Sequence, residues 1–336
     1  VDFHKWTKIF QFHNVRKLAN KMKSDAFQNG DGFDGKFLYR GKVKLDGTNA
    51  SVRMCNGELA VQSRGRIITP ADDNYGFAKW VDENESFFRN HMLMIESVKP
   101  NYDITLYGEW IGTGIQKRTS ASQIGKRAFC LFALRNHVND SITVEPSILE
   151  VMFASNPDIY IIPWSTQYVS IDWNSTESVE FAAQDINKLV IDCGKCDEFV
   201  KDKFAVEGLG EGFVFYPMFK QAVVDYNSFR EWMFKAKGEE HQTQKQTKPV
   251  IVDPEALSSR KAFVTKFLTP VRLEQALNEI GEASRENTGA FLKWVGNDIR
   301  DEGADELEAS GIEWKSVAKS IANEARFWWI DKCNNT

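Results

Sequence analysis

The stretch "GKVKLDGTNASVRM", residues 41–54, sets two lysines one residue apart and follows them with an aspartate, a glycine, a threonine and an asparagine. Only the second lysine, Lys44, has Asp-Gly at the offset of a K-x-D-G arrangement. A lysine at its ordinary pKa of about 10.4 carries a proton and is no nucleophile. To attack phosphorus it must lose that proton, through desolvation or through neighbouring cations. A loop between two strands, tightened by Gly47, would hold Lys44 in a pocket with Asp46, Thr48 and Asn49 offering polar contacts to a ligand. The same four residues also describe a hairpin turn with an exposed lysine. Their spacing alone does not decide between the two.

Downstream lie further polar residues in β-like surroundings: Arg64 in "SRGR", Glu109 in "YGEWIGTGIQ", Phe129 and Phe132 in "FCLFAL", Glu211 in "EGFVFYP", and Lys235 and Lys237 in "FKAKG". Each has an ordinary account as a strand-end charge, a core aromatic or a solvated strand face. Alternation, however, puts Lys235 and Lys237 on one face of a strand. Two ammonium groups there repel unless water or an anion lies between them, and a polyphosphate is such an anion.

As an ordered set these blocks resemble the covalent nucleotidyltransferases, the superfamily of polynucleotide ligases and mRNA capping enzymes. Within it "KLDGTN", "YGEWIGTGIQK" and "EGFVFYP" are most similar to the bacteriophage RNA ligase 2 family. The resemblance implies an ATP-dependent RNA ligase. Lys44 would attack the α-phosphate of ATP to give a lysyl-adenylate, AMP would pass to an RNA 5′-phosphate, and a 3′-hydroxyl would displace it, with nicked duplex RNA the expected substrate. It further implies that Arg64 contacts a phosphate of RNA or AMP, and that Glu109 holds the ribose hydroxyls or a metal. Phe132, rather than Phe129, would stack on adenine. Glu211 would bind Mg2+ or Mn2+ or tune Lys44, Lys235 and Lys237 would neutralise phosphates, and Asn49 would contact phosphate or the reacting 3′ end. The neighbouring cations are expected to help keep Lys44 neutral. Two positions depart from that branch: Asp46, where many members have histidine, and Val43, where many have a charged or polar residue.

These residues need a scaffold. Alternating segments dominate up to about residue 240, among them "KFLYRGKVKL", "ASVRMCNGELAVQSR", "DITLYGEWIG", "AFCLFALR" and "EGFVFYP". Asn56-Gly57 predicts a two-residue hairpin turn. Helical patterns interrupt the strands at "NESFFRNHMLMIESV" and at "STESVEFAAQDINKLVIDCG", with Ser175 or Thr176 as the cap and Gly194 as the stop. The expected fold is therefore α+β, a nucleotidyltransferase domain of antiparallel sheets with flanking helices over residues 1–240. The polar, proline-punctuated residues 241–254 read as a linker, and residues 255–336 as a small all-α domain. In the resemblance that helical domain engages RNA, with Arg272 gripping a phosphate and Asp298 orienting a neighbouring basic group. It stands where DNA ligases and capping enzymes, the alternative enzymatic readings, carry an OB-fold. A nucleic-acid-binding relative without catalysis is the alternative outside enzymes. The run "RFWWIDK", with Phe327 to Trp329, is expected to pack into the core.

Composition bounds the rest. The net charge of −5 supplies no global attraction to nucleic acid, so any RNA contact must come from a local basic surface. Five scattered cysteines argue against a disulfide framework and for a reducing compartment. The "CGKC" pair, Cys193 and Cys196, lacks the second pair that a structural zinc site requires. No apolar run reaches the roughly 20 residues of a membrane span, and the first residues lack a signal-peptide core. A soluble, intracellular monomer is the expectation.

Overall fold

The computed structural model describes residues 1–29, 32–95, 102–219, 223–238, 255–304, 306–307 and 312–335. The linker expected at 241–254 lies outside the described residues. The chain divides into two compact units, residues 1–71 with 75–238, and residues 72–74 with 239–336.

The first unit is built on two sheets. One orders β1 (Phe10–Gln11), β13 (Phe234–Lys237), β11 (Gly212–Pro217), β2 (Lys36–Val43) and β10 (Val169–Asp172). The other orders β12 (Val223–Asp225), β8 (Ser141–Thr143), β7 (Arg127–Asn136), β6 (Asp103–Gly112), β3 (Thr48–Cys55), β4 (Glu58–Ser63) and β5 (Ile67–Ile68), with β9 (Ile159–Ile161) beside β7. Pairing is antiparallel except for β1 on β13 and β9 on β7. The turn joining β3 to β4 is Asn56-Gly57, with φ of 49° and 87°, the pair of positive values that a type I′ hairpin requires.

Alternation along β3, β6 and β7 gives the second sheet two working faces. One carries Val52, Met54, Leu106, Trp110, Phe129 and Leu131 into a core closed by α2 (Phe77–Glu83), α3 (Glu85–Ile95) and α4 (Pro146–Phe153). The other turns Tyr107, Ile111, Cys130 and Phe132 toward the first sheet. The far side of the first sheet is covered by α1 (Phe12–Asn29) and α5 (Thr176–Lys195), through Val15, Ala19, Val179, Ala182 and Ile186. Two shorter helices, α6 (Glu198–Phe204) and α7 (Tyr226–Arg230), complete the unit. The Ser175 hydroxyl caps α5 by accepting from the Ser178 N–H. Gly194 does not stop that helix, which runs through it to Lys195, because Cys193 on the same turn is buried and holds the last turn against the first sheet.

The second unit is helical, with α8 (Glu255–Phe267), α9 (Pro270–Ile280), α10 (Thr288–Glu302) and α11 (Trp314–Asn335). Its own core joins Phe263, Phe267, Leu273, Phe291, Val295, Ile299 and Trp329. Thr269 caps α9 in front of Pro270, whose missing N–H is lost at no cost in the first turn. On α11 the buried residues fall four apart at Val317, Ile321, Ala325 and Trp329, which turns Phe327 outward, 75% exposed, against the expectation that it packs inside. No described helix is long and apolar enough to cross a membrane.

Candidate active site

The register of the first sheet arranges cations in rows. Val214 on β11 opposes both Lys42 on β2 and Lys235 on β13, so those two lysines stand on the same face. One row along, Gly212 opposes Lys237, and its carbonyl accepts from the Lys44 N–H at 2.8 Å. That face looks across at the second sheet, where Asn49, Glu109 and Cys130 form a single row and Phe132 lies two residues farther along β7. Lys44, Asn49, Glu109, Phe132, Glu211, Lys235 and Lys237 are thus brought to one cleft between the two sheets.

Glu211 organises its mouth. Its two carboxylate oxygens each sit 2.6 Å from an ammonium, Oε2 from Lys44 and Oε1 from Lys237. The glutamate side chain is 6% exposed and the two lysines 24% and 23%, so this chain of charges is largely withdrawn from water. Burial pushes the Glu211 carboxyl up, but Lys237 and Lys44 outweigh it and hold the group down at about 2. For Lys44 burial works against the charge, yet Glu211 and Glu109 overcome it and keep the amine above its ordinary value. The expectation of a neutral Lys44 is therefore corrected for the resting site. Glu211 Oε2 sits 2.6 Å from the amine, and both carboxylates favour its charged form.

Two glycines make this geometry possible. A Cβ on Gly47 would stand 2.5 Å from the Trp110 carbonyl oxygen, so only glycine lets the Lys44 loop lie flat on β6. Gly212 has φ +139° and would place a Cβ 2.2 Å from the Ala236 oxygen. It turns the chain out of the loop carrying Glu211 and into β11.

The acids are unusual in their surroundings. Burial raises the Glu109 carboxyl to about 8 and that of Asp46 to about 6. Asp46 Oδ2 is buried without a hydrogen-bond donor among the described residues. Glu211 and Asp46 push Glu109 up further, and Glu211 does the same to Asp46, so a divalent cation would relieve Glu109 and Asp46. Among the described residues no cluster of three His, Cys, Asp or Glu side chains is drawn tightly enough to hold an ion alone. A hard cation with oxygen ligands that also takes substrate phosphates fits such a site.

Other residues sort themselves around the cleft. Asn49 Nδ2 donates to the Gly108 carbonyl at 3.5 Å. Arg64 sits exposed in the turn after β4, near enough to lower the Glu109 carboxyl. Phe132 is nearly buried, with the Trp6 ring edge-on at 5.0 Å. Phe129 points to the opposite core, beneath Gly108. In the helical unit Arg272 and Asp298 pair with each other, Nε to Oδ2 at 3.0 Å, and Arg272 also donates to the Phe267 carbonyl. Cys193 and Cys196 are free thiols, and the former is buried against the Gly212 carbonyl, which accepts from Sγ at 3.7 Å.

Lys42, the first lysine of the pair, lacks Asp-Gly at the K-x-D-G offset and is not among the expected site residues. It is fully buried, its Nζ donates to the Phe132 carbonyl at 3.1 Å, and the rings of Trp164 and Tyr216 lie 5.1 and 5.9 Å away. Burial pulls its amine down to about 7, against the raising effect of Glu145 and Glu150. Gln116, also overlooked, donates to the Gly47 carbonyl at 3.1 Å and fastens the Lys44 loop. The alternation that pairs Lys42 with Lys44 was the available signal for the first. The second lies in the block "YGEWIGTGIQK", where spacing gives it no role of its own.

Comparison with protein families matches residues 39–252 to RNA ligase. No curated protein matches the chain. Among solved structures it is similar to variants of an RNA ligase from Naegleria gruberi. The form solved with AMP and Mn has 16% identity and a TM-score of 0.45, over 71% of this chain and 57% of that one. A form with ATP and Mn has 16% identity and 0.44, over 70% and 56%. An apo form has 16% and 0.45, over 71% and 56%. The chain spans a little over half the length of these structures.

Proposed function

The chain belongs to the RNA ligase family, and on that premise we propose that it joins an RNA 3′-hydroxyl to a 5′-phosphate through a lysyl-AMP and an RNA-adenylate, acting on nicked duplex or otherwise aligned ends. The branch we assign is that of bacteriophage RNA ligase 2. The observation that carries this reading is the linked set Lys44, Glu211 and Lys237 at the mouth of the cleft, with 2.6 Å between each ammonium and the shared carboxylate.

In the first step Lys44 Nζ attacks the α-phosphorus of ATP, the new N–P bond replaces the bond to the bridging oxygen, and pyrophosphate leaves. Lys235 and Lys237 take up phosphate charge, since phosphoryl chemistry depends on position and charge neutralisation more than on covalent help. Once a polyphosphate draws Lys237 away, Glu211 loses the partner that depresses it most, and its proton affinity rises. Its carboxylate, 2.6 Å from the amine, then stands as the nearest acceptor for the proton that Lys44 must lose. Glu109, Glu211 and Asp46 would hold Mg2+ or Mn2+, which supplies further charge stabilisation at the phosphate oxygens when bound. Glu109 otherwise meets the ribose hydroxyls, Phe132 offers its ring to adenine, and Asn49 and Arg64 contact phosphate. The helical unit engages RNA, and the buried Asp298 holds the Arg272 guanidinium in place for a phosphate.

The test is incubation with magnesium and ATP or GTP labelled at the α-phosphate, followed by addition of nicked RNA, nicked DNA or hybrid duplexes. Acid-labile label from ATP that chases onto RNA and then leaves as AMP supports the reading. Label from GTP alone would indicate capping chemistry, sealing of DNA alone would move the substrate class, and no label would leave only a binding protein.

A further inference from the structure

In a chain with a net charge of −5, residues 3–24 form a basic run that contains six Lys and Arg, two His, and no Asp or Glu. The run includes β1 and most of α1. Helical geometry of about 100° per residue puts Arg16, Lys17, Lys21 and Lys23 within one side of α1, together with His13, Asn20, Ser24 and Phe27. Val15 and Ala19, on the opposite side, are buried against the first sheet. Asp25 lies just beyond the edge of the basic side.

Three features mark this side as more than a solvated face. First, Phe27 is 86% exposed at its far end, a large aromatic ring that no core claims. Second, the ring and Lys23 border a groove of about 500 Å³ whose other walls are Asn20, Ser24, Phe33 and Asn174. Third, the run begins in the sheet that carries the cleft lysines. In β1, Gln11 pairs with Lys235 of β13, so the helix starts one strand away from the lysines assigned to phosphate. Cations spaced along a helix and a free ring beside a groove suit a phosphodiester backbone with bases to stack.

We propose that the outer side of α1, with the groove at Lys23 and Phe27, is an RNA-binding surface of the first unit, its cations on phosphates and Phe27 against a base. This inference rests on the RNA ligase reading and extends it, since the nucleotide cleft serves the first step and α1 serves the RNA-dependent ones. Like other backbone contacts, it holds RNA of any sequence.

The experiment compares the full chain with the quadruple variant Arg16→Gln, Lys17→Gln, Lys21→Gln, Lys23→Gln, and with Phe27→Ala. All the changed side chains lie on the solvent side of α1, and circular dichroism checks that each variant is folded. Self-adenylation with labelled ATP, binding of a nicked RNA duplex at several salt concentrations, and sealing are measured side by side. The proposal expects adenylation within two-fold of the parent, RNA binding at least ten-fold weaker, and a log–log salt slope shallower by about 3 in the quadruple variant, at about 0.7 to 0.9 per phosphate contact. Phe27→Ala is expected to weaken binding several-fold with the slope unchanged. Normal adenylation with parental RNA affinity and slope would overturn the α1 proposal and leave the ligase reading standing, whereas absence of adenylation in the parent itself would overturn that reading. Charge-dependent binding to vesicles of anionic lipid, with RNA binding unaffected by the substitutions, would reassign α1 to a membrane surface and also overturn the proposal.

Discussion

Glu211 is the residue on which the resting site turns. Replacing it by glutamine leaves Lys44 and Lys237 facing each other across a neutral group in a place withdrawn from water. Breaking a buried pair in this way typically costs about 3 kcal/mol, and Glu211→Gln is expected to lower the urea midpoint accordingly and to abolish label transfer from ATP. Lys42 yields a prediction of a different kind. Its folded pKa of about 7 lies below the roughly 10.5 of an unfolded chain, so the unfolded state binds more protons between those values. Its burden on stability is fully present below pH 7 and is relieved as pH rises toward 10.5. Urea unfolding from pH 7 to 10 should show the parent gaining stability relative to Lys42→Met. A difference between the two that does not change with pH would mean that Lys42 is charged throughout.

At the scale of elements, the Lys44 loop depends on how closely β3 and its approach lie on β6. Gly47→Ala forces a methyl group against the Trp110 carbonyl and the Ile111 and Glu109 side chains. Overpacking of this kind costs about 1 to 3 kcal/mol, and because the loop must shift, adenylation is expected to fall more than stability, measured by label transfer beside thermal unfolding. Much of the sheet was readable from sequence because alternation and Asn56-Gly57 are local signals. The α5 cap was readable to within Ser175 or Thr176 for the same reason, while the passage of that helix through Gly194 was not, since it is decided by contacts of Cys193 with the first sheet. Of the site, Lys44, Glu109, Glu211 and the two β13 lysines could be named because the ordered blocks that hold them resemble those of the covalent nucleotidyltransferases. Their electrostatics could not. Whether the cations or the carboxylates govern the charge on Lys44 depends on distances of a few ångströms set by the register of β2, β11 and β13.

At the scale of the whole chain, each unit has a core of its own, so the two can be assigned separate tasks. Removing residues 250–336 should leave self-adenylation within a few-fold of the parent and abolish sealing of nicked RNA. A truncated protein that still seals would take the RNA-engaging role away from the helical unit and leave it to surfaces of the first unit. The central claim is nevertheless located at one atom, Lys44 Nζ, and the most direct measurement is peptide mapping by mass spectrometry after incubation with ATP and magnesium. A single AMP adduct on Lys44, formed with one equivalent of pyrophosphate and missing from Lys44→Ala, is the expected result. An adduct on Lys42 or any other residue, or none at all, would contradict it.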